Sequence, residues 1–255
     1  MTAVHVFIIS WTNQHNRAGQ IANALSGVAD RLTIVYSDRD NSPELFPGYE
    51  ALRRDDRLFW ADKFQACLDH CTAGAVMMII HADCECDDWS GVVSRCRTDF
   101  DRDQAIGVWI PRLTGTPWRL ERTRIKRLAD SECSLVAHTD GLVFALSPLL
   151  LPRMRQANYS QNVYGLGIDW MFLCAAYSRG MVAIANESIV VRHRLSRGYS
   201  SGQARAQKRQ FLKQLTPSEA ITYQRLRTHL RRRKIYAKIL FQIENLRARV
   251  QSRHT

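Results

Sequence analysis

The chain has 255 residues, 45% of them hydrophobic and 24% charged, which suits one large packed domain, alone or with an appendage, and excludes wholesale disorder. No apolar run approaches the roughly 18 residues that cross a bilayer as a helix, and Ala75–Ile80 is strand-sized. The net charge of +12 is confined to one end: residues 1–202 carry 22 basic and 22 acidic side chains, whereas 203–255 carry 14 Lys and Arg against Glu219 and Glu244 alone.

Seven cysteines, an odd number without a CxxC pair, argue for reduced thiols that pack as small hydrophobes, not for a disulfide frame. Cys67, Cys71, Cys84 and Cys86 match no common zinc spacing. The first residues run directly into Val4–Ile9 with neither a basic leader nor a cleavage site, so the expected location is cytoplasmic.

Val4–Ile9 reads as a strand covered on both faces, and Ser10-Trp11-Thr12-Asn13 as the polar turn after it. A helix follows over Asn16–Leu25, with Ala18, Ile21, Ala22 and Leu25 on one side, and a second strand over Leu32–Tyr36 ends in Ser37-Asp38. Such a strand–helix–strand opening predicts a parallel unit whose ligands bind at the carboxyl ends of the strands. Asn41–Gly48 is a Pro-punctuated loop, Leu58–Cys71 a helix and Val76–Ile80 a third buried strand. A short helix is expected over Trp89–Cys96, strands over Ile106–Pro111 and Leu142–Leu146, a helix within Gly165–Arg179, and short strands over Met181–Ala185 and Ser188–Arg192. The expected architecture is α/β, with a mostly parallel central sheet flanked by helices.

From Gln203 onward the pattern is helical and basic. Ile235, Ile239, Ile243, Leu246 and Val250 recur at three- and four-residue steps among Arg231, Arg232, Arg233, Lys234, Lys238, Arg247 and Arg249. A helix of this kind lies on an anionic membrane surface, binds nucleic acid, or packs its apolar side on the main domain. Nucleic acid is disfavoured, because residues 1–202 are neutral and carry no basic stripe interleaved with aromatics.

Three segments carry chemistry. Asp83-Cys84-Glu85 follows the third strand; alternation in extended chain puts Asp83 and Glu85 on one side, and paired hard oxygens suit Mg²⁺ or Mn²⁺ unless the segment is merely an acidic loop. Tyr164-Gly165-Leu166-Gly167-Ile168-Asp169-Trp170 places a carboxylate behind two glycines at a helix start, where Asp169 either serves a ligand or caps the helix. Val191-Arg192-His193-Arg194 ends a strand in a histidine flanked by arginines, with Arg197 beyond; such cations suit phosphate.

In this order the segments resemble a glycosyltransferase of the GT-A fold, close to the family 2 group, over about residues 4–202. Asp83-Cys84-Glu85 stands where that family has its DxD, Tyr164–Trp170 matches its GxGxED acceptor motif, and Val191-Arg192-His193 with Tyr199 completes the set. The resemblance implies a GT-A domain over 1–202 with a basic helical extension over 203–255. It implies that Ser10, Trp11, Thr12 and Asp38 hold the nucleoside of a nucleotide-sugar, and that Lys63 reaches a phosphate unless it is a solvated helix lysine. Asp83, Glu85 and His193 are the implied ligands of Mn²⁺ or Mg²⁺, and Arg194 and Arg197 cover the diphosphate. Asp169 is the implied base in transfer, with inversion, to a hydroxyl of a glycan or glycolipid near a membrane. Two positions depart from the pattern: Glu85 replaces an aspartate, and Ile168 stands where an acid is expected, which leaves open a retaining outcome or a degenerate domain. A nucleotidyltransferase shares the fold, but Ser10–Asn16 lacks the glycine-rich phosphate loop that such enzymes carry. A non-enzymatic adaptor that works through its basic tail is the remaining alternative.

Overall fold

The computed structural model describes residues 1–40, 42, 45–129, 131–193 and 201–251, with backbone alone at 201 and 236–251. The chain runs through β1 (Val4–Ser10), α1 (His15–Leu25), β2 (Arg31–Tyr36), β3 (Glu50–Arg53), α2 (Trp60–His70), β4 (Val76–His81) and a two-residue β5 (Cys84–Glu85). Next come α3 (Trp89–Arg102), β6 (Ile106–Thr114), α4 (Leu120–Thr123), β7 (Arg124–Arg127), β8 (Cys133–Val136) and β9 (Val143–Leu146). The rest comprises α5 (Leu151–Arg155), α6 (Ile168–Ser178), β10 (Val182–His193), α7 (Ser201–Phe211) and α8 (Pro217–Gln251).

The strands form one sheet in the order β3-β2-β1-β4-β9-β6-β10-β8-β7, with β5 paired to β10 off that path. The β3, β2, β1 and β4 run is parallel throughout, as is the β6–β10 pair. Between these blocks β9 runs antiparallel to both neighbours, so the sheet is mixed. This reversal has a functional consequence: the amino end of β9 lies at the edge where the parallel strands have their carboxyl ends.

The apolar strands are buried on both faces because helices cover both. Along β1, Val4, Val6 and Ile8 pack with Ala18, Ile21, Val92 and Val93 of α1 and α3, while Phe7 and Ile9 pack with Phe64 of α2 and Phe172 of α6. Each such side chain contributes roughly 1.5–3 kcal/mol on leaving water, so the uninterrupted hydrophobic runs are those that the layered sheet selects.

Three expected elements differ in extent, the strand from Ile106 running on past Pro111 to Thr114. The helix from Trp89 continues to Arg102, since Asp99 in its last turn is buried and accepts hydrogen bonds from Trp109 Nε1 and Asn186 Nδ2, both at 2.8 Å. The two short strands expected at 181–192 are one strand, β10, irregular between Asn186 and Val190.

The first part of the basic segment belongs to the core. Ala204, Phe211, Leu226 and Leu230 are buried, the last three in the cluster that contains α2 and α6. Arg153 of α5 forms an ion pair with Glu219 of α8 at 2.8 Å, both side chains buried. Thr216 and Glu219 also cap each other reciprocally, Thr216 N–H donating to Glu219 Oε2 and Glu219 N–H to Thr216 Oγ1, the capping-box arrangement. Of the predicted apolar stripe, Ile235 is exposed, and Ile239, Ile243, Leu246 and Val250 lie outside the residues whose side chains are described.

Candidate active site

A cleft of about 740 Å³ opens at the carboxyl edge of the sheet, lined by Trp11 and Thr12 after β1, His81 and Asp83 at and after β4, Trp118 after β6 and His193 at the end of β10. The segment His138–Leu142 before β9 and Tyr164–Asp169 at the start of α6 close the other side, together with Arg205 and Lys208 of α7. Five residues singled out from sequence, Trp11, Thr12, Asp83, Asp169 and His193, thus meet in one cavity.

Asp83 and His193 are direct neighbours: His193 Nε2 donates to Asp83 Oδ2 at 3.1 Å. Burial pushes the Asp83 carboxyl up, but the His193 hydrogen bond and the charges of His81 and His193 outweigh it and hold the net value below the ordinary one. The same hydrogen bond raises His193, against the pull of burial. Asp83 Oδ1, His193 Nδ1 and His81 Nε2 are buried without a hydrogen-bond partner. An unsatisfied carboxylate oxygen and an unsatisfied imidazole nitrogen, on two residues that line the cleft, suit a Mg²⁺ or Mn²⁺ ion that would take its other ligands from phosphate and water. Glu85 does not line that cleft. Pairing of β5 with β10 sets Glu85 opposite Arg192, and its carboxylate faces Arg17 of α1 at 3.4 Å. No cluster of three His, Cys, Asp or Glu suited to a metal occurs among the described residues.

On the facing side, α6 begins behind Gly165 and Gly167, both in the left-handed region at φ +68° and +97°. Gly165 has a second constraint: a Cβ there would lie 2.3 Å from Trp60 Cδ1, so its absence lets the Trp60 ring enter the cleft wall. The N-cap of α6 is Gly167, so Asp169 sits in the first turn and is not the cap. Its Oδ2 lies 3.2 Å from His138 Nε2. Burial raises the Asp169 carboxyl to about 6, Lys208 pulls it down, and Asp140 adds to the rise. Asp140 also raises His193, so its charge is felt on both sides of the cleft.

Ser10, Asp38 and Lys63 do not line the cleft. Ser10 Oγ is bonded to His15 Nδ1 at 2.8 Å, and Asp38 stands 3.6 Å from His15 Nε2. Asp38 accepts from the backbone amides of Ser42 at 2.6 Å and Asp40 at 3.3 Å; these bonds, the Ser42 amide first, lower its carboxyl. Lys63 is not a solvated helix lysine: it is fully buried, donates to the Leu58 carbonyl at 3.3 Å and lies 5.5 Å from the Trp11 ring. Burial lowers its ammonium to about 8. Arg194, Arg197 and Tyr199 lie outside the described residues. All seven cysteines are free and, except for the half-buried Cys86, buried.

Sequence reasoning missed His138, Asp140, Trp118 and Lys208. Only His138-Thr139-Asp140-Gly141 before a strand carried a signal, a polar cluster ahead of an apolar run. Its relevance depends on β9 running antiparallel, which periodicity does not reveal.

No protein-family model matches the chain, and no curated protein matches it in sequence. Solved structures do. GalNAc-T7, crystallised with UDP, GalNAc and Mn²⁺, superposes with a TM-score of 0.56 at 11% identity, covering 77% of this chain and 44% of that one. TarS of S. aureus superposes at 0.53 and 11% identity, over 76% and 37%. This chain therefore spans less than half the length of either. A UDP-glucose pyrophosphorylase complexed with UDP-glucose aligns at 0.48 and 9% identity, over 84% and 100%, too distant to add to the comparison. At these identities the likeness is one of fold, and the fold is of the GT-A type.

Proposed function

We propose that this GT-A-fold chain transfers a sugar from a nucleotide-sugar donor to a hydroxyl of a glycan or glycolipid acceptor, with inversion at the anomeric carbon. One observation carries the reading: the Asp83–His193 pair and the Asp169–His138 pair share a single cleft at the carboxyl edge of the sheet, the edge where α/β sheets bind ligands.

The chemistry divides between the two sides. Asp169, with its carboxyl raised to about 6, is ionised at neutral pH yet a stronger proton acceptor than an ordinary aspartate; it takes the proton from the acceptor hydroxyl as that oxygen attacks. Asp83 and His193 would hold Mn²⁺ or Mg²⁺, whereas Glu85 faces Arg17 outside the cleft. When bound, the ion neutralises charge on the departing nucleoside diphosphate as a Lewis acid. Trp11 and Thr12 form the cleft wall beside β1, where the nucleoside is received, and Ser10 and Asp38 brace that wall through His15.

The basic segment is read as a contact with an anionic membrane surface on the cytoplasmic side. Arg231, Arg232, Lys234 and Ile235 are exposed on α8, no helix among the described residues is long and apolar enough to cross a membrane, and each basic residue near an anionic surface contributes roughly 1 kcal/mol.

A thermal-shift screen of UDP-, GDP-, CMP- and dTDP-sugars with and without Mn²⁺ tests the donor. A ligand at a hundred times its Kd raises apparent stability by about 2.7 kcal/mol. One nucleotide class should shift the wild type in the presence of Mn²⁺, and Asp83→Ala should lose that shift while keeping its unliganded melting temperature. Indifference of the wild type to every donor, or an Asp83→Ala variant that responds as the wild type does, would refute the proposal.

A further inference from the structure

We propose that the acceptor is an anion: the hydroxyl that Asp169 deprotonates belongs to a molecule that also carries a phosphate or a carboxylate, and Lys208 of α7 receives that group. The acceptor's role rests on the transferase reading; the binding of an anion at Lys208 does not.

Residues 203–255 carry the whole excess of basic charge, and the first helix of that segment forms part of the cleft, with Arg205 and Lys208 on its lining. Buried Ala204 and Phe211 fix the docking of α7. Gln203 and Gln207 reinforce it, their side-chain oxygens accepting from the Tyr164 hydroxyl at 3.1 Å and the Tyr164 amide at 3.2 Å. Lys208 then passes beside the start of α6. A Cβ at Gly167 would lie 3.2 Å from Lys208 Cγ, so the glycine makes room for the lysine stem as well as adopting φ +97°.

The ammonium arrives half-buried, 5.2 Å from the Trp170 ring, with no hydrogen bond or ion pair among the described residues. Withdrawing a charge from water without such a partner is costly. Asp169 offsets only part of that cost: burial lowers the Lys208 ammonium, Asp169 pulls it back, and Arg227 of α8 lowers it further. Arg122 adds to the positive charge on this side. Its Nη1 donates to the Pro117 carbonyl at 3.3 Å, its guanidinium stands 4.4 Å from the Trp118 ring, and its Nε is buried without a partner. Arg122, Arg205, Lys208 and Arg227 thus face the carboxylates of Asp140 and Asp169, a local excess of cations suited to phosphate or carboxylate.

Placement separates this charge from the donor's diphosphate. After burial, Lys208 is the foremost influence on Asp169 and on His138, whereas Asp83 and His193 respond chiefly to each other, with His81 and Asp140. An anion held by Lys208 therefore lies beside the base and away from the Asp83–His193 pair. The ammonium also screens the acceptor's charge from Asp169, which would otherwise repel it.

The test titrates glucose, glucuronate and glucose 6-phosphate, three rings that differ in the anionic group, by calorimetry against wild type, Lys208→Gln and Lys208→Arg. Wild type should prefer at least one anion over glucose by about 10- to 100-fold, the worth of a charge-assisted hydrogen bond; the tighter of the two identifies carboxylate or phosphate. Lys208→Gln should lose that preference and Lys208→Arg should keep it. Nucleoside diphosphate with Mn²⁺ should bind wild type and Lys208→Gln within about twofold of each other. Acetylation of Lys208 in the wild type, read by mass spectrometry, repeats the test without a variant: the preferred anion should protect the residue and glucose should not. Equal binding of all three rings, a preference that survives Lys208→Gln, or an unprotected Lys208 would overturn the proposal. So would a loss of about tenfold or more in nucleoside diphosphate affinity in Lys208→Gln, which would assign the ammonium to the donor. Absence of transfer by the wild type would refute the transferase reading, while the titrations would still decide the anion site.

Discussion

Replacing Asp169 by Asn should inactivate this protein and stabilise it at the same time, because the group proposed to do the chemistry is held in an environment that resists its charge. Burial lifts the carboxyl from an ordinary 3.8 to about 6, and every tenfold change in proton affinity corresponds to about 1.36 kcal/mol between protonation states. The folded value lies above the unfolded one, so stability is fully present below pH 3.8 and is lost as pH rises through 6. The full difference is about 3 kcal/mol at neutral pH, reduced to about 2 kcal/mol because a fifth of the side chain reaches solvent and is screened there. Asparagine is close in shape and carries no charge. At pH 7.5 the variant should therefore melt about 4–8 °C above the wild type, while transfer falls about 10²- to 10⁴-fold, the usual contribution of a general base. Calorimetric melts at pH 4.5 and 7.5, paired with donor-turnover assays, check both halves. The stability gain should fall to about a third of its pH 7.5 value at pH 4.5, where the folded carboxyl is protonated but the unfolded one is still mostly ionised. A gain independent of pH, or no gain at 7.5, would show that Asp169 is not destabilised by its surroundings and would remove the physical basis for treating it as the base.

Two structural predictions accompany this one. Gly165→Ala should lose about 1–3 kcal/mol in urea unfolding, since the new Cβ meets Trp60 in a backbone conformation that L-residues disfavour, and Trp60 fluorescence should shift as the ring is pushed from the cleft wall. Glu219→Ala should cost about 3–5 kcal/mol by leaving Arg153 charged and unpaired in the core, whereas the Arg153→Met, Glu219→Leu double variant should recover much of that loss; equal costs for the single and double variants would show that the pair is solvated.

Much of the scaffold was legible because burial on both faces imposes a local composition. A strand covered from two sides must be apolar at consecutive positions, so Val4–Ile9 and Val76–Ile80 identify themselves without reference to anything distant. At Asp169 the local pattern was ambiguous: glycines at 165 and 167, a charge and then an apolar run are a helix start in which the carboxylate serves a ligand or caps the helix, and only the structure shows that Gly167 is the cap. That Lys63 is buried and not solvated is invisible in the sequence, because helix periodicity does not show that Trp11 and the Leu58 carbonyl close over its ammonium.

From sequence alone follow the α/β layering and the carboxyl edge as the ligand side, properties of short segments whose neighbours along the chain impose the pattern; that Asp83, Asp169 and His193 belong to one site was implied by the resemblance to GT-A glycosyltransferases. Tertiary structure alone decided which of these groups touch. Glu85 turns to Arg17 because β5 pairs with β10, and His138 and Asp140 enter the cleft because β9 reverses direction. Strand order and direction are settled by contacts between segments far apart in the chain, and no local spacing encodes them.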